Sequence, residues 1–177
     1  QDIATVEYVA LETSEDVLIE TYNNIFLTDK TIIVCNKSEG SIFTFDRKGK
    51  FLTKFNHKGG SGQEYMSIFC ITYDEDSREI SIYDILKRQI IAYSQEGNFI
   101  RKFSTREKET IKTINSFDKN LYLVCVAKYP KNGKQEINSY RFISKIDGSI
   151  VDTIPINFSE IVPENFMKNE GSYTTFI

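Results

Sequence analysis

The chain has 177 residues, 22 basic against 25 acidic side chains for a net charge of −3, 40% hydrophobic and 27% charged residues. That length and balance suit one ordinary domain with a real core, and the basic residues are scattered, which excludes the basic face that nucleic-acid binding needs. No apolar run approaches the ~20 residues that span a bilayer, while 13 Phe and 10 Tyr with no Trp favour the pleated, half-buried surface of strands.

In chain order, Thr5 to Leu11 alternates and reads as a strand preceding the first full repeat, expected to pair with the edge of another unit. Four short strands follow at about 24–28, 31–36, 41–46 and 51–55, broken by hairpin-length turns, with Gly49 available for a positive φ. A second set lies at 68–74, 79–84, 89–94 and 99–103, and a third at 113–118, 120–126, 139–146 and 150–154, with Asp147-Gly148 as a two-residue hairpin signal. The third set has a long polar loop, 128–138, in its middle. One helical turn over 106–112 and a further strand at 172–177 complete the reading.

The sets are copies of one another. Lys48-Gly49-Lys50-Phe51-Leu52-Thr53-Lys54-Phe55 recurs as Glu96-Gly97-Asn98-Phe99-Ile100-Arg101-Lys102-Phe103 and, more weakly, from Asp147, so the glycines at 49, 97 and 148 are spaced by 97 − 49 = 48 and 148 − 97 = 51 residues. Four strands per unit of 40–50 residues mark the blades of a β-propeller. The expected fold is all-β: four-stranded antiparallel blades at about 24–55, 68–103 and 113–154, an N-terminal strand, and 155–177 as the start of a fourth blade or a tail. Three blades do not close a ring. The arc is therefore expected to belong to a six-bladed propeller completed by further sequence or by a second copy, with self-association through its open edges.

The pattern Gly-Lys-Phe after Ile42-Phe43-Thr44-Phe45-Asp46 resembles NHL-type repeats, and more narrowly the six-bladed propellers of Gram-negative gut-bacterial envelope proteins, many of them predicted lipoproteins. That family's inter-blade segment Gly-x-Gly-Pro-Gly-Glu-Tyr is matched by Gly59-Gly60-Ser61-Gly62-Gln63-Glu64-Tyr65, with the Pro and the later Gly replaced, and Tyr8-Val9-Ala10-Leu11-Glu12-Thr13 resembles the family's start. The resemblance covers about 5–154. It implies a propeller in the cell envelope, periplasmic or on the outer membrane, whose leader has been removed, since the sequence opens on Gln1. It implies no particular activity.

The residues that could carry chemistry are few. His57 is the sole histidine, which excludes a multi-histidine metal centre, and Ser61 beside it lacks the strand-to-helix elbow of a serine nucleophile. His57, Lys58, Gln63, Glu64 and Tyr65 lie on the connection between blades, on the face where propellers bind ligands, and Arg88 beside Lys87 opens on the same face; these six are the candidate ligand contacts. The structural alternative makes the loop a glycine-rich crossover tied down by Glu64 and Tyr65. Its glycines lack the spacing of a phosphate loop. Asp46, Asp74, Asp84 and Asp118 recur at strand ends, where Asp caps its own turn, and Cys35, Cys70 and Cys125 sit in apolar strands as buried thiols. No cofactor or metal is expected. The reading is a non-catalytic propeller that binds a protein or carbohydrate ligand, with two alternatives: a lyase or hydrolase acting at the channel mouth through His57, Glu64, Tyr65 and Arg88, and an extracytoplasmic sensor.

Overall fold

The computed structural model describes residues 6–20, 23–105, 110–128 and 137–154. Within them are twelve strands: β1 (Asn23–Leu27), β2 (Thr31–Asn36), β3 (Ser41–Asp46), β4 (Phe51–Asn56), β5 (Cys70–Asp74), β6 (Glu79–Asp84), β7 (Gln89–Ser94), β8 (Phe99–Ser104), β9 (Thr110–Ser116), β10 (Leu121–Lys128), β11 (Ile137–Ser144) and β12 (Ile150–Ile154). They form three four-stranded antiparallel meanders, β1 to β4, β5 to β8 and β9 to β12. These are three blades of a β-propeller.

The burial pattern follows from stacking. A blade packed on both faces needs apolar residues at successive positions rather than alternate ones, and β2, β3, β6 and β7 are buried almost from end to end. The outer strand lies at the rim, and in β4 only Phe55 is buried. Blades one and two share a core of Ile33, Cys35, Ile42 and Phe55 against Ile71, Ile80, Ile82, Ile91 and Tyr93. Blades two and three share Cys70, Tyr83 and Ile90 against Ile111, Ile114, Tyr122, Val124 and Ile143.

Each outer hairpin carries one bulge at the same register, after Thr44, Ala92 and Phe142. The extra residue of the outer strand, Leu52, Ile100 or Val151, is turned out of the ladder, which accounts for three of the exposed apolar side chains. Each of these hairpins also holds a glycine in the left-handed region, Gly49 at φ 85°, Gly97 at 92° and Gly148 at 72°. Space demands glycine as well. A Cβ on Gly97 would lie 2.7 Å from Cγ of Phe55, and one on Gly148 2.4 Å from the Phe103 ring. The repeat period thus records where each blade's last aromatic side chain docks on the next blade.

Several boundaries differ from the sequence reading. Residues 6–13 pair in no ladder among the described residues, and Thr5 lies outside them; the segment instead docks by its Glu12 N–H on the Gly49 carbonyl, 2.8 Å away. The alternation does not mark a buried side, since Val6 and Tyr8 are 72% and 93% exposed; Leu11, together with Val17 and Ile19 further on, meets Ile32, Val34, Phe43 and Phe45. No helical turn begins at 110, since 110–112 open β9; 106–109 lie outside the described residues. Lys128 and Ile137 belong to strands, so the long loop loses both ends, and the rest of it, 129–136, is also outside. The hairpin at Asp147-Gly148 is longer than two residues: Ser144 N–H bonds the Ser149 carbonyl at 2.9 Å. The tail 155–177, with its expected strand, falls outside the described residues.

Candidate functional site

The inter-blade loop after β4 gathers five of the six candidate residues. It is closed on itself by a parallel bridge of Lys58 with Tyr65, Gly59 N–H donating to the Tyr65 carbonyl and Tyr65 N–H to the His57 carbonyl. Glycines and short polar residues suit so tight a path.

The side chains of Tyr65, His57, Glu64 and Lys58 each have a partner in the fold. Tyr65 is fully buried, its hydroxyl donating to the Gly40 carbonyl at 2.6 Å and accepting from the His57 N–H at 3.1 Å. Burial pushes the phenol well above its ordinary value. His57 stacks on Tyr93 with centroids 5.0 Å apart, and its Nε2 lies 2.7 Å from the Gly97 carbonyl oxygen. A carbonyl only accepts, so the proton sits on Nε2. Glu64 folds back over the loop and accepts from Ser61 N–H at 2.7 Å; that bond, with Lys87 nearby, holds its carboxyl below the usual range. Lys58 reaches the Ser38 carbonyl at 2.6 Å, and Gln63 offers its backbone carbonyl to the Tyr93 hydroxyl.

Arg88 lies in the β6–β7 turn with a left-handed backbone, φ 50°. The same turn brings its neighbour Lys87 against the loop, Nζ at 2.9 Å from the Ser61 carbonyl and 2.8 Å from that of Glu64. The expectation that loop and turn share a face is correct. Lys87 is the residue that joins them, and its ammonium neutralises converging carbonyl dipoles.

The recurrent aspartates cap turns. Asp46 accepts from Lys48 and Lys50 N–H, and Asp118 from Asn120 and Leu121 N–H. Two do more. Asp84, fully buried, accepts from Met66 N–H at 2.7 Å and the Ser67 hydroxyl at 3.0 Å as well as from its own turn, so it anchors the end of the inter-blade loop. Asp74 pairs with Lys145, whose side chain is 4% exposed and whose ammonium bonds the Ser116 hydroxyl at 2.6 Å and lies over the Tyr122 ring. Burial pushes the Asp74 carboxyl up, but the Lys145 ammonium and the Ser77 N–H outweigh it and hold it below the ordinary value. Beside this pair Arg101 forks onto Glu79 at 3.0 and 2.5 Å, and Ser81 bonds the Tyr122 hydroxyl at 2.6 Å.

The sequence reading missed this network. The signal that could have found it is positional: Arg47, Gln95 and Lys145 each directly follow the last residue of the third strand of their blade. The three cysteines are free and buried, with the Cys35 and Cys70 thiols pushed by burial to about 12. Among the described residues no group of three His, Cys, Asp or Glu side chains could hold a metal ion, and no helix is long and apolar enough to cross a membrane.

A family model described as a domain of unknown function (DUF4934) matches residues 2–176. No curated protein matches the sequence. Among solved structures, a putative exported protein from Bacteroides fragilis is similar over 84% of this chain and 41% of its own, at 15% identity and a TM-score of 0.66. The chain thus spans less than half of that protein. The WD40 repeats of RRP9 align over 71% of this chain and 36% of theirs, at 15% identity and a TM-score of 0.49. At 15% identity the likeness to the exported protein speaks for the fold alone.

Proposed function

Because the chain belongs to the DUF4934 family, whose description assigns no reaction, we propose from its geometry that it is a non-catalytic binding or scaffold propeller of the bacterial cell envelope. The observation that carries this reading is that the fold itself occupies the side chains a reaction would need, His57, Glu64 and Tyr65, together with the neighbouring Lys87. Tyr65, His57, Glu64 and Lys87 each hold backbone groups of the inter-blade loop or the adjacent hairpins. General acid–base work needs a group whose proton is available to a substrate, whereas here the buried hydroxyl and imidazole are committed to carbonyl oxygens. What these bonds build is a rigid platform, from which Lys58, Gln63 and Arg88 form the polar rim for a protein or carbohydrate ligand.

The exported structural relative supports the envelope as the compartment, and a six-bladed NHL-like ring is the architecture this proposal takes. The test is a binding screen of envelope polysaccharides and envelope proteins by biolayer interferometry with the immobilised protein. Saturable binding that weakens about tenfold in a Lys58→Ala, Gln63→Ala, Arg88→Ala variant is the expected result. Turnover of a screened polysaccharide, lost in His57→Ala, would replace this reading with an enzyme. Binding unmoved by the triple variant would shift the ligand to another face.

A further inference from the structure

The first blade junction holds a polar cavity at the end of the blades opposite the inter-blade loop. In an antiparallel meander the β1–β2, β5–β6 and β7–β8 turns all lie at the end away from that loop, and between blades one and two these turns enclose about 280 Å³. That is close to the lower limit of small-molecule sites, roughly 300 Å³. The walls are residues 28–31 of blade one and Tyr73, Arg78 and Gln95 of blade two. The rim is tied across the blades where Asp29 N–H donates to the Glu75 carboxylate at 3.0 Å. At the second junction the corresponding place is plugged, because Lys145, at the position of Gln95, runs across to Asp74 and Ser116. The shorter Gln95 stops at Thr31 and leaves room.

This cavity contains hydrogen-bonding capacity that the fold does not use. Gln95 is 5% exposed, and Arg78 clamps it at two points: the Arg78 carbonyl accepts from the Gln95 backbone N–H at 3.0 Å, and Arg78 Nε donates to Oε1 at 3.2 Å. The Tyr73 hydroxyl donates to the same oxygen at 2.9 Å. A guanidinium only donates, so the atom facing it is the amide oxygen and Nε2 is turned to the Thr31 side. There Nε2 makes one contact, 3.4 Å long, for two N–H groups. One buried donor is therefore without an acceptor among the described residues, which is costly where water is excluded. At the rim, the exposed Asp29 carboxylate and Lys30 ammonium form no hydrogen bond or ion pair among the described residues. Tyr73, packed on Phe26 with ring centroids 6.3 Å apart, is the aromatic wall.

We propose that this cavity is a saccharide site, which takes a neutral mono- or disaccharide with its hydroxyls on Gln95, Asp29 and Lys30 and its C–H face on Tyr73. The charge pattern selects the class. The carboxylates of Asp29 and Glu75 stand against the cations of Lys30 and Arg78, and Arg78 is already paired with Glu96, so no excess of positive charge is left to draw in an anion. A hydroxyl donates and accepts at once, and is served equally by a carboxylate, an ammonium and an amide N–H. A phosphate or a uronate would meet Asp29 and Glu75. The site is separate from the rim at Lys58, Gln63 and Arg88, which lies at the other end of the blades.

Saturation-transfer difference NMR on the full chain tests this, with neutral disaccharides of glucose, galactose, mannose and N-acetylglucosamine as probes and glucuronate and alanyl-alanine as ionic comparisons. At least one neutral disaccharide is expected to bind saturably. Its affinity should fall about tenfold in Gln95→Leu, the loss of one hydrogen bond to a buried amide, and several-fold in an Asp29→Ala, Lys30→Ala variant, whose exposed substitutions leave the circular dichroism spectrum unchanged. The Lys58→Ala, Gln63→Ala, Arg88→Ala variant should bind it as the unaltered chain does. No saturable signal from any of the neutral disaccharides would overturn the proposal. So would a signal lost in the rim variant but kept in both cavity variants, which would move the sugar to the rim and leave the binding reading of that face standing. Tighter binding of glucuronate or alanyl-alanine that depends on Gln95 would also overturn it, because the cavity would then serve an ionic ligand.

Discussion

The two blade junctions solve one geometric problem with different chemistry. At the first, Phe55, His57, Tyr65 and Phe99 pack around the Tyr93 ring, and the inner polar group is the neutral Gln95, which accepts from the Tyr73 hydroxyl at 2.9 Å and whose charged neighbours Arg78 and Glu96 are exposed. At the second, the position of Gln95 is taken by Lys145, and the polar end is an ion pair with Asp74, flanked by Arg101 and Glu79. The backbone frame is the same, with one bulge and one left-handed glycine per hairpin. Stacking of blades therefore fixes shape and apolar faces but leaves the polar rim free to vary, and charge sensitivity is concentrated in the second junction.

The largest way to break that comparison is to remove one ion. Lys145→Ala leaves the Asp74 carboxylate buried without its partner and is expected to cost about 3–5 kcal/mol of stability in urea unfolding. A Lys145→Met, Asp74→Asn double variant should recover most of it, because the penalty lies in the uncompensated charge. A cost below about 1 kcal/mol for the single variant would mean that water reaches the pair. The same pair sets the response to acid. Asp74 is held below its ordinary pKa, so its contribution is complete above the unfolded value and is lost as pH falls through the lower folded value. Asp74→Asn should flatten that part of the stability profile, and Gln95→Met, at the corresponding position of the first junction, should leave it unchanged.

Phe55→Ala strikes the aromatic junction and is expected to cost about 3–4 kcal/mol, as truncation of a buried ring does. Gly97→Ala should cost about 1–3 kcal/mol from its left-handed backbone and its approach to Phe55. The two effects separate in a double-mutant cycle. In the Phe55→Ala background the clash is gone, so Gly97→Ala should keep only the backbone part of its cost; full additivity would show that the ring never pressed on the glycine.

This explains how much could be read from the chain alone. The glycines at 49, 97 and 148 announced the period because they answer two constraints at once, a positive φ in their own hairpin and a close neighbour from the chain before their blade, Ala10, Phe55 and Phe103 in turn. The first is local, so the hairpins were legible; the second is tertiary, so the role of Phe55 and Phe103 was not. Tyr65 and Glu64 were readable as ties of the inter-blade loop, since their bonds run within nine residues or to the adjoining hairpin. Lys145 looked like any turn lysine, because nothing near it in sequence reveals that Asp74, 71 residues away, waits behind it. The segment 6–13 pairs in no ladder among the described residues, and its alternation does not translate into a buried side, since Val6 and Tyr8 are exposed; what docks it is the Glu12 N–H on the Gly49 carbonyl, a contact with no local signal.

The smallest expected effect sharpens the contrast from the exposed side. Arg78 and Glu96 form an ion pair at 2.9 Å on the rim of the first junction, but their side chains are 62% and 51% exposed. Water and salt screen such a pair, and holding two long side chains together has an entropic cost, so Glu96→Gln should change stability by no more than about 0.5 kcal/mol. Arg78 bonds Gln95 through Nε as well, at 3.2 Å, and that bond survives the substitution. Loss of the charge at the corresponding hairpin of the second junction, in Lys145→Ala, is expected to cost several times more. If the two costs came out alike, burial would not be what separates the junctions, and the ion pair at Lys145 would have to be as hydrated as the one at Arg78.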